Sequence, residues 1–92
     1  MDYVDALNKL LPVVKSLQEG GYDILSVTAS RCVTGKCEVH VFEPKVNDFL
    51  RGYNATARRL NTKNEWSVDV DGVRVFWLQS IEGAPEVQTV TL

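Results

Sequence analysis

The chain is poor in the residues that most often announce a chemistry. It has one histidine, two cysteines and one methionine in 92 residues. Two cysteines are too few to staple a small secreted domain, which excludes a disulfide scaffold, and both are expected as thiols. No apolar run approaches the roughly 20 residues that a membrane-spanning helix needs. The opening Met1-Asp2-Tyr3-Val4-Asp5 lacks the basic segment and continuous apolar stretch of a secretory leader. These absences predict a cytoplasmic protein with no membrane partner. Basic residues are in the minority, 10 Lys and Arg against 12 Asp and Glu for a net charge of −2, whereas a dedicated nucleic-acid-binding domain is strongly basic. There is no phosphate loop, no G-x-G-x-x-G and no H-E-x-x-H. The length suits one domain with one modest core, which leaves little volume for an enclosed active site.

What the chain does have is an uneven charge distribution and clear patterning. Residues 1–30 sum to −2, residues 31–63 to +4 and residues 64–92 to −4. The middle segment holds Arg31, Lys36, Lys45, Arg51, Arg58, Arg59 and Lys63, so a local basic patch on an acidic protein is expected.

Residues 3–19 read as a helix. Val4, Leu7, Leu11, Val14 and Leu17 recur at three- and four-residue steps, a stripe expected to pack on a sheet, with Leu10 widening it. Asp2 can cap the start and Gly20-Gly21 the end. Pro12 predicts a kink or a restart. Residues 22–31 and 37–42 alternate like strands around Val33-Thr34-Gly35, a three-residue hairpin loop. That loop sets a register pairing Ala29 with Val39 and Val27 with Val41. Glu43 to Gly52 reads as a short helix, with Pro44 at its first position, Gly52 past its end and Val46, Phe49 and Leu50 facing inward. Tyr53 to Leu60 fits a strand by alternation, although a helical stripe through Tyr53, Ala57 and Leu60 also exists.

The strongest local signal is Trp66-Ser67-Val68-Asp69-Val70, Asp71-Gly72, Val73-Arg74-Val75-Phe76-Trp77-Leu78, a two-residue hairpin. Its register pairs Val70 with Val73, Val68 with Val75 and Trp66 with Trp77 on one face. Asp69 faces Arg74 on the other. Phe76 and Leu78 share that second face, which makes it a candidate meeting surface for a partner or a second subunit. The resulting expectation is an α+β domain over residues 1–85. It comprises an antiparallel sheet of four or five strands, the long N-terminal helix on one face and a short second helix, in the order α-β-β-α-(β)-β-β. Residues 86–92 form a tail or an extra edge strand.

The segment from Val39-His40-Val41-Phe42 through Asp48-Phe49-Leu50 to the aspartate-glycine hairpin and its aromatic strand, roughly residues 36–80, resembles small uncharacterised proteins of bacteriophages and prophages. Arg58-Arg59 departs from that pattern, which is often acidic there. The resemblance implies a small cytoplasmic protein made during infection or from an integrated element, and it carries no catalytic residue with it.

Cys32, Cys37 and His40 are three soft ligands within nine residues, but their spacing fits no zinc knuckle. Cys37 also points away from the other two, and a fourth ligand is missing. Ser26, Thr28, Ser30 and Cys32 near His40 lack the sharp nucleophile turn and oxyanion donors that acyl transfer needs. No catalytic, cofactor-binding or metal-binding residue is therefore expected, and the chain is read as something other than an enzyme. The candidate contact residues are Arg31, Lys36, Arg51, Arg58 and Arg59 for an anionic partner, and Phe76 and Leu78 for an apolar one. The expected function is a protein-interaction module acting on a host or phage factor, with homodimer formation as one form of partnership. A nucleic-acid-binding accessory factor using the basic patch is the alternative.

Overall fold

The computed structural model describes residues 3–29, 37–42, 50–60, 63–79 and 87–91. Helix α1 spans Tyr3–Glu19 and is followed by strands β1 (Ile24–Thr28), β2 (Cys37–Val41), β3 (Asn54–Leu60), β4 (Lys63–Val70), β5 (Val73–Gln79) and β6 (Val87–Thr91). The strands form one sheet in the order β1-β2-β5-β4-β3-β6. The α+β class holds, but the sheet has six strands and is mixed, because β2 runs parallel to β5 while every other pair is antiparallel. The parallel pair joins the β1–β2 hairpin to the β3–β4–β5 meander, and Cys37, Val39, Val73 and Val75 line one side of that junction. The C-terminal segment is an edge strand, paired with β3 from Asn54 and Thr91 to Arg58 and Val87.

Among the described residues there is one helix. Of the short helix expected over Glu43–Gly52, residues 43–49 lie outside the described residues. Leu50–Gly52 form a turn in which the Tyr53 N–H donates to the Leu50 carbonyl at 3.1 Å. Leu50 does face inward, into the core. Strand β3 resolves the ambiguity of Tyr53–Leu60 in favour of alternation.

Helix α1 lies over β1, β2 and β5 and runs unbroken through Pro12. The face it buries is the expected one only in part, with Leu10 and Leu17 buried and Val14 packed against the core's margin. Ala6, Leu10, Val13 and Leu17 join the core with Cys37, Val39, Val41, Val73, Val75 and Trp77. Val4, Leu7 and Leu11 remain exposed. Both stripes have helical spacing, and Ala6 decides between them. Its small side chain lets the helix backbone approach β2 closely enough for the Cys37 thiol to donate to the Ala6 carbonyl at 3.8 Å. Leu17 closes the helix in both readings. Here the Tyr22 N–H donates to the Leu17 carbonyl and the Gly21 N–H to that of Gln18, with Gly21 at φ +82°. This is the glycine-centred Schellman stop, and Tyr22 and Leu17 are both buried, as that motif favours. An added Cβ at Gly21 meets nothing, so Gly21→Ala isolates the backbone cost. We expect a loss of about 1 kcal/mol in urea unfolding from the left-handed conformation alone.

The β1–β2 register is displaced by two residues from the expectation. Val27 pairs with Val39, Ser26 with His40 and Thr28 with Glu38, and the register shifts between Ile24 and Ser26. From Ser26 to Thr28 a two-residue slip keeps each side chain on its face, so Val27 still meets a valine, whereas the irregularity brings Ile24 opposite Val41 and onto the core side. The Val33-Thr34-Gly35 turn lies outside the described residues. The β4–β5 hairpin matches expectation, with Val70–Val73, Val68–Val75 and Trp66–Trp77 paired. Asp71 and Gly72 have φ of 52° and 82°, the two positive values that a tight primed turn demands. The Gly72 N–H donates to Asp69 Oδ1 at 2.9 Å.

Candidate interaction face

Alternation along the strands leaves the side of the sheet opposite α1 with its own set of side chains. Glu38 and His40 come from β2, and Arg74, Phe76 and Leu78 from β5. Glu65, Ser67 and Asp69 come from β4, and Thr56 and Arg58 from β3. No described element packs over this face.

Its organisation follows from strand order. Because β2 neighbours β5, Glu38 stands opposite Arg74, and Arg74 Nη1 donates to Glu38 Oε2 at 3.2 Å. The other guanidinium nitrogen donates to Glu65 Oε1. Glu65 stands opposite Arg58, whose Nη2 lies 3.6 Å from the same oxygen. Four charges of alternating sign thus run Glu38–Arg74–Glu65–Arg58 across four adjacent strands. They line a shallow polar cavity of about 410 Å³ with Thr56 and Ser67. The expected Asp69–Arg74 ion pair does not form. The two residues are opposite in register, but Asp69 is committed to the turn amide and Arg74 to the two glutamates.

To reach Glu65, the Arg74 guanidinium passes over the Phe76 ring, 4.6 Å from its centroid. Phe76 is in turn stacked beside His40, with ring centroids 4.6 Å apart and planes within 9°. Phe76 and Leu78 are half-buried here. Phe42, the residue after β2, is 61% exposed, and extending the β2 alternation by one residue assigns it to this face. Its backbone is fixed, since its N–H donates to the Asp23 carbonyl at 2.8 Å. The face therefore divides into a charge-matched polar half and an aromatic half made by His40, Phe76, Phe42 and Leu78. The alternation of residues 37–42 already sets Phe42 with Glu38 and His40, opposite Val39 and Val41, but sequence reasoning did not single it out as a contact residue.

Among the described residues, the basic candidates Arg51, Arg58 and Arg59 do not share one surface. Arg58 and Arg59 are consecutive in β3 and project to opposite faces, and Arg58 is paired with Glu65. Arg51 is exposed in the turn before β3. Arg31 and Lys36 lie outside the described residues, as does Cys32. Cys37 is buried beneath α1 on the face opposite His40, and no cluster of three metal-binding side chains exists among the described residues. No described helix is long and apolar enough to cross a membrane. Trp66 and Trp77 stack on the α1 side, 6.5 Å between centroids, and Trp66 Nε1 donates to Gln79 Oε1 at 2.9 Å. Both tryptophans therefore serve the packed side of the sheet. Set against protein-family models, curated proteins and solved structures, the chain matches none.

Proposed function

We propose that this chain is a protein-interaction module that docks a partner protein on the uncovered sheet face, with Phe42 as the protruding anchor. The observation that supports this reading is the division of one uncovered face into an aromatic half and a charge-matched polar half. Interfaces combine these two elements, a few aromatic anchors that are desolvated on binding and a hydrogen-bonding polar surround. Phe42 presents an aromatic surface held by a fixed backbone, so little ordering entropy is lost on docking. The resemblance to phage and prophage proteins makes a host or phage factor the natural partner class.

A nucleic-acid partner is the weaker reading. Phosphate binding needs several cations on one surface that are free to release counterions. On this face Arg58 and Arg74 are both engaged by carboxylates, and Arg59 is on the other side. The test is affinity capture from a bacterial lysate with the intact chain, with Phe42→Glu and with Phe76→Glu. We expect Phe42→Glu to lose the captured protein by at least tenfold while circular dichroism and melting stay unchanged. Capture that is indifferent to Phe42, or a salt-sensitive mobility shift with nucleic acid, would overturn the reading.

A further inference from the structure

A second surface, unrelated to the sheet face, is carried by α1. Tyr3, Val4, Leu7 and Leu11 are between 52% and 66% exposed. They lie on one flank of the helix, next to the buried stripe, as their three- and four-residue spacing requires. The orientation of that flank follows from Lys9. Its side chain lies against Gly72 in the β4–β5 turn, 2.5 Å from where a Cβ would stand. The Lys9 flank of α1 therefore looks toward β5 and β4, and the apolar flank, on the opposite side of the helix, looks out past β1. Strand β1 is the end of the sheet, and its Leu25 and Val27 are 56% and 45% exposed. The helix flank and the sheet edge thus make one continuous apolar corner.

We infer that this corner is a homodimer interface, occupied by a second copy of this chain across a two-fold axis, with α1 packed against α1 and the two β1 edges alongside. Three features select a second copy. The flank carries no charge, since its positions are Tyr3, Val4, Leu7, Leu11, Val14 and Gln18, and β1 reads Ile-Leu-Ser-Val-Thr. Self-association on this surface therefore opposes no like charges, which the glutamate-bearing sheet face would do. Six side chains that are each about half exposed or more present roughly 600 Å² of surface, at the upper limit of the patch a typical monomer leaves uncovered. Two copies together would bury about 1,200 Å², where specific interfaces begin. The edge itself carries no lysine or proline to repel a neighbour, and only the irregularity at Leu25 interrupts it. A two-fold pairing satisfies both copies at once and closes, leaving no apolar corner over.

The test is the solution mass of the intact chain by sedimentation and light scattering. Concentrations up to about 100 µM are suitable, above the micromolar Kd expected of so small an interface. We expect twice the 10.3 kDa chain mass. The variant L7E/L11E should sediment as a folded monomer, and Phe42→Glu should remain dimeric. If L7E/L11E loses its fold, the milder Leu11→Gln takes its place and should weaken dimerisation at least tenfold. A monomeric wild type would overturn the inference. So would a dimer that survives L7E/L11E, or loss of fold in both stripe variants, which would place the stripe in the monomer's own core.

Discussion

Leu10→Ala is expected to lower the unfolding free energy by about 2–5 kcal/mol, and Leu11→Ala, one residue further along, by under about 0.5 kcal/mol. Leu10 is 2% exposed and packs in the core with Val39 and Val75, whereas Leu11 is 66% exposed. Truncating Leu10 removes its burial and leaves a cavity that the sheet beneath cannot collapse to fill. Truncating Leu11 removes nothing from the monomer, and alanine is the better helix former. A small domain has about 5–15 kcal/mol of total stability, so the first variant should melt far below the second. The measurement is urea unfolding followed by the fluorescence of buried Trp77, at a concentration low enough to keep any self-association out of the transition. Equal losses would mean that both stripes are buried, and the reverse order would mean that α1 is rotated on the sheet.

That pair of leucines also marks where the sequence stopped being legible. A helix with apolar residues at 4, 7, 11 and 14 and again at 6, 10, 13 and 17 carries two usable stripes. Hydrophobic spacing alone favours the bulkier one. The choice is made by close approach, with Ala6 over Cys37, and close approach is a property of the helix and sheet together. Local chemistry was read well. Asp71-Gly72 dictated its turn and the register of eight flanking residues, and Gly21 dictated the end of α1. Non-local pairing was not legible. Nothing in residues 37–41 announces a parallel partner in residues 73–76, because Val39 and Val75 would fit many apolar neighbours. The same gap hid the charge row of the candidate face, although the hairpin register reveals its Phe76 and Leu78. Arg74 was assigned to Asp69 by hairpin register, but its stronger partners, Glu38 and Glu65, follow from strand order and from the reach of the guanidinium across Phe76.

Arg74→Ala is accordingly expected to cost about 1–3 kcal/mol, more than an exposed surface ion pair would. The Arg74 side chain is 33% exposed, and its partners Glu38 and Glu65 are 24% and 14% exposed. Removing the guanidinium leaves two partly desolvated carboxylates on one face and uncovers the Phe76 ring. Only Arg58 remains near Glu65, and Glu38 loses its described cation. Partial solvent access keeps the loss below that of a fully buried pair. Arg74→Lys should recover less than half, because a single ammonium cannot serve two carboxylates on opposite sides at once. Double-mutant cycles separate the partners. Arg74→Ala should couple to Glu65→Gln by about 1 kcal/mol, to Glu38→Gln by less, and to Asp69→Asn by nearly nothing, since Asp69 is held by the Gly72 amide. A dominant coupling to Asp69 would restore the simple hairpin pair and dissolve the four-strand charge row. With it would go the polar half of the proposed docking face, which depends on Arg74 lying across Phe76 and tying β2, β5 and β4 into one rigid surface.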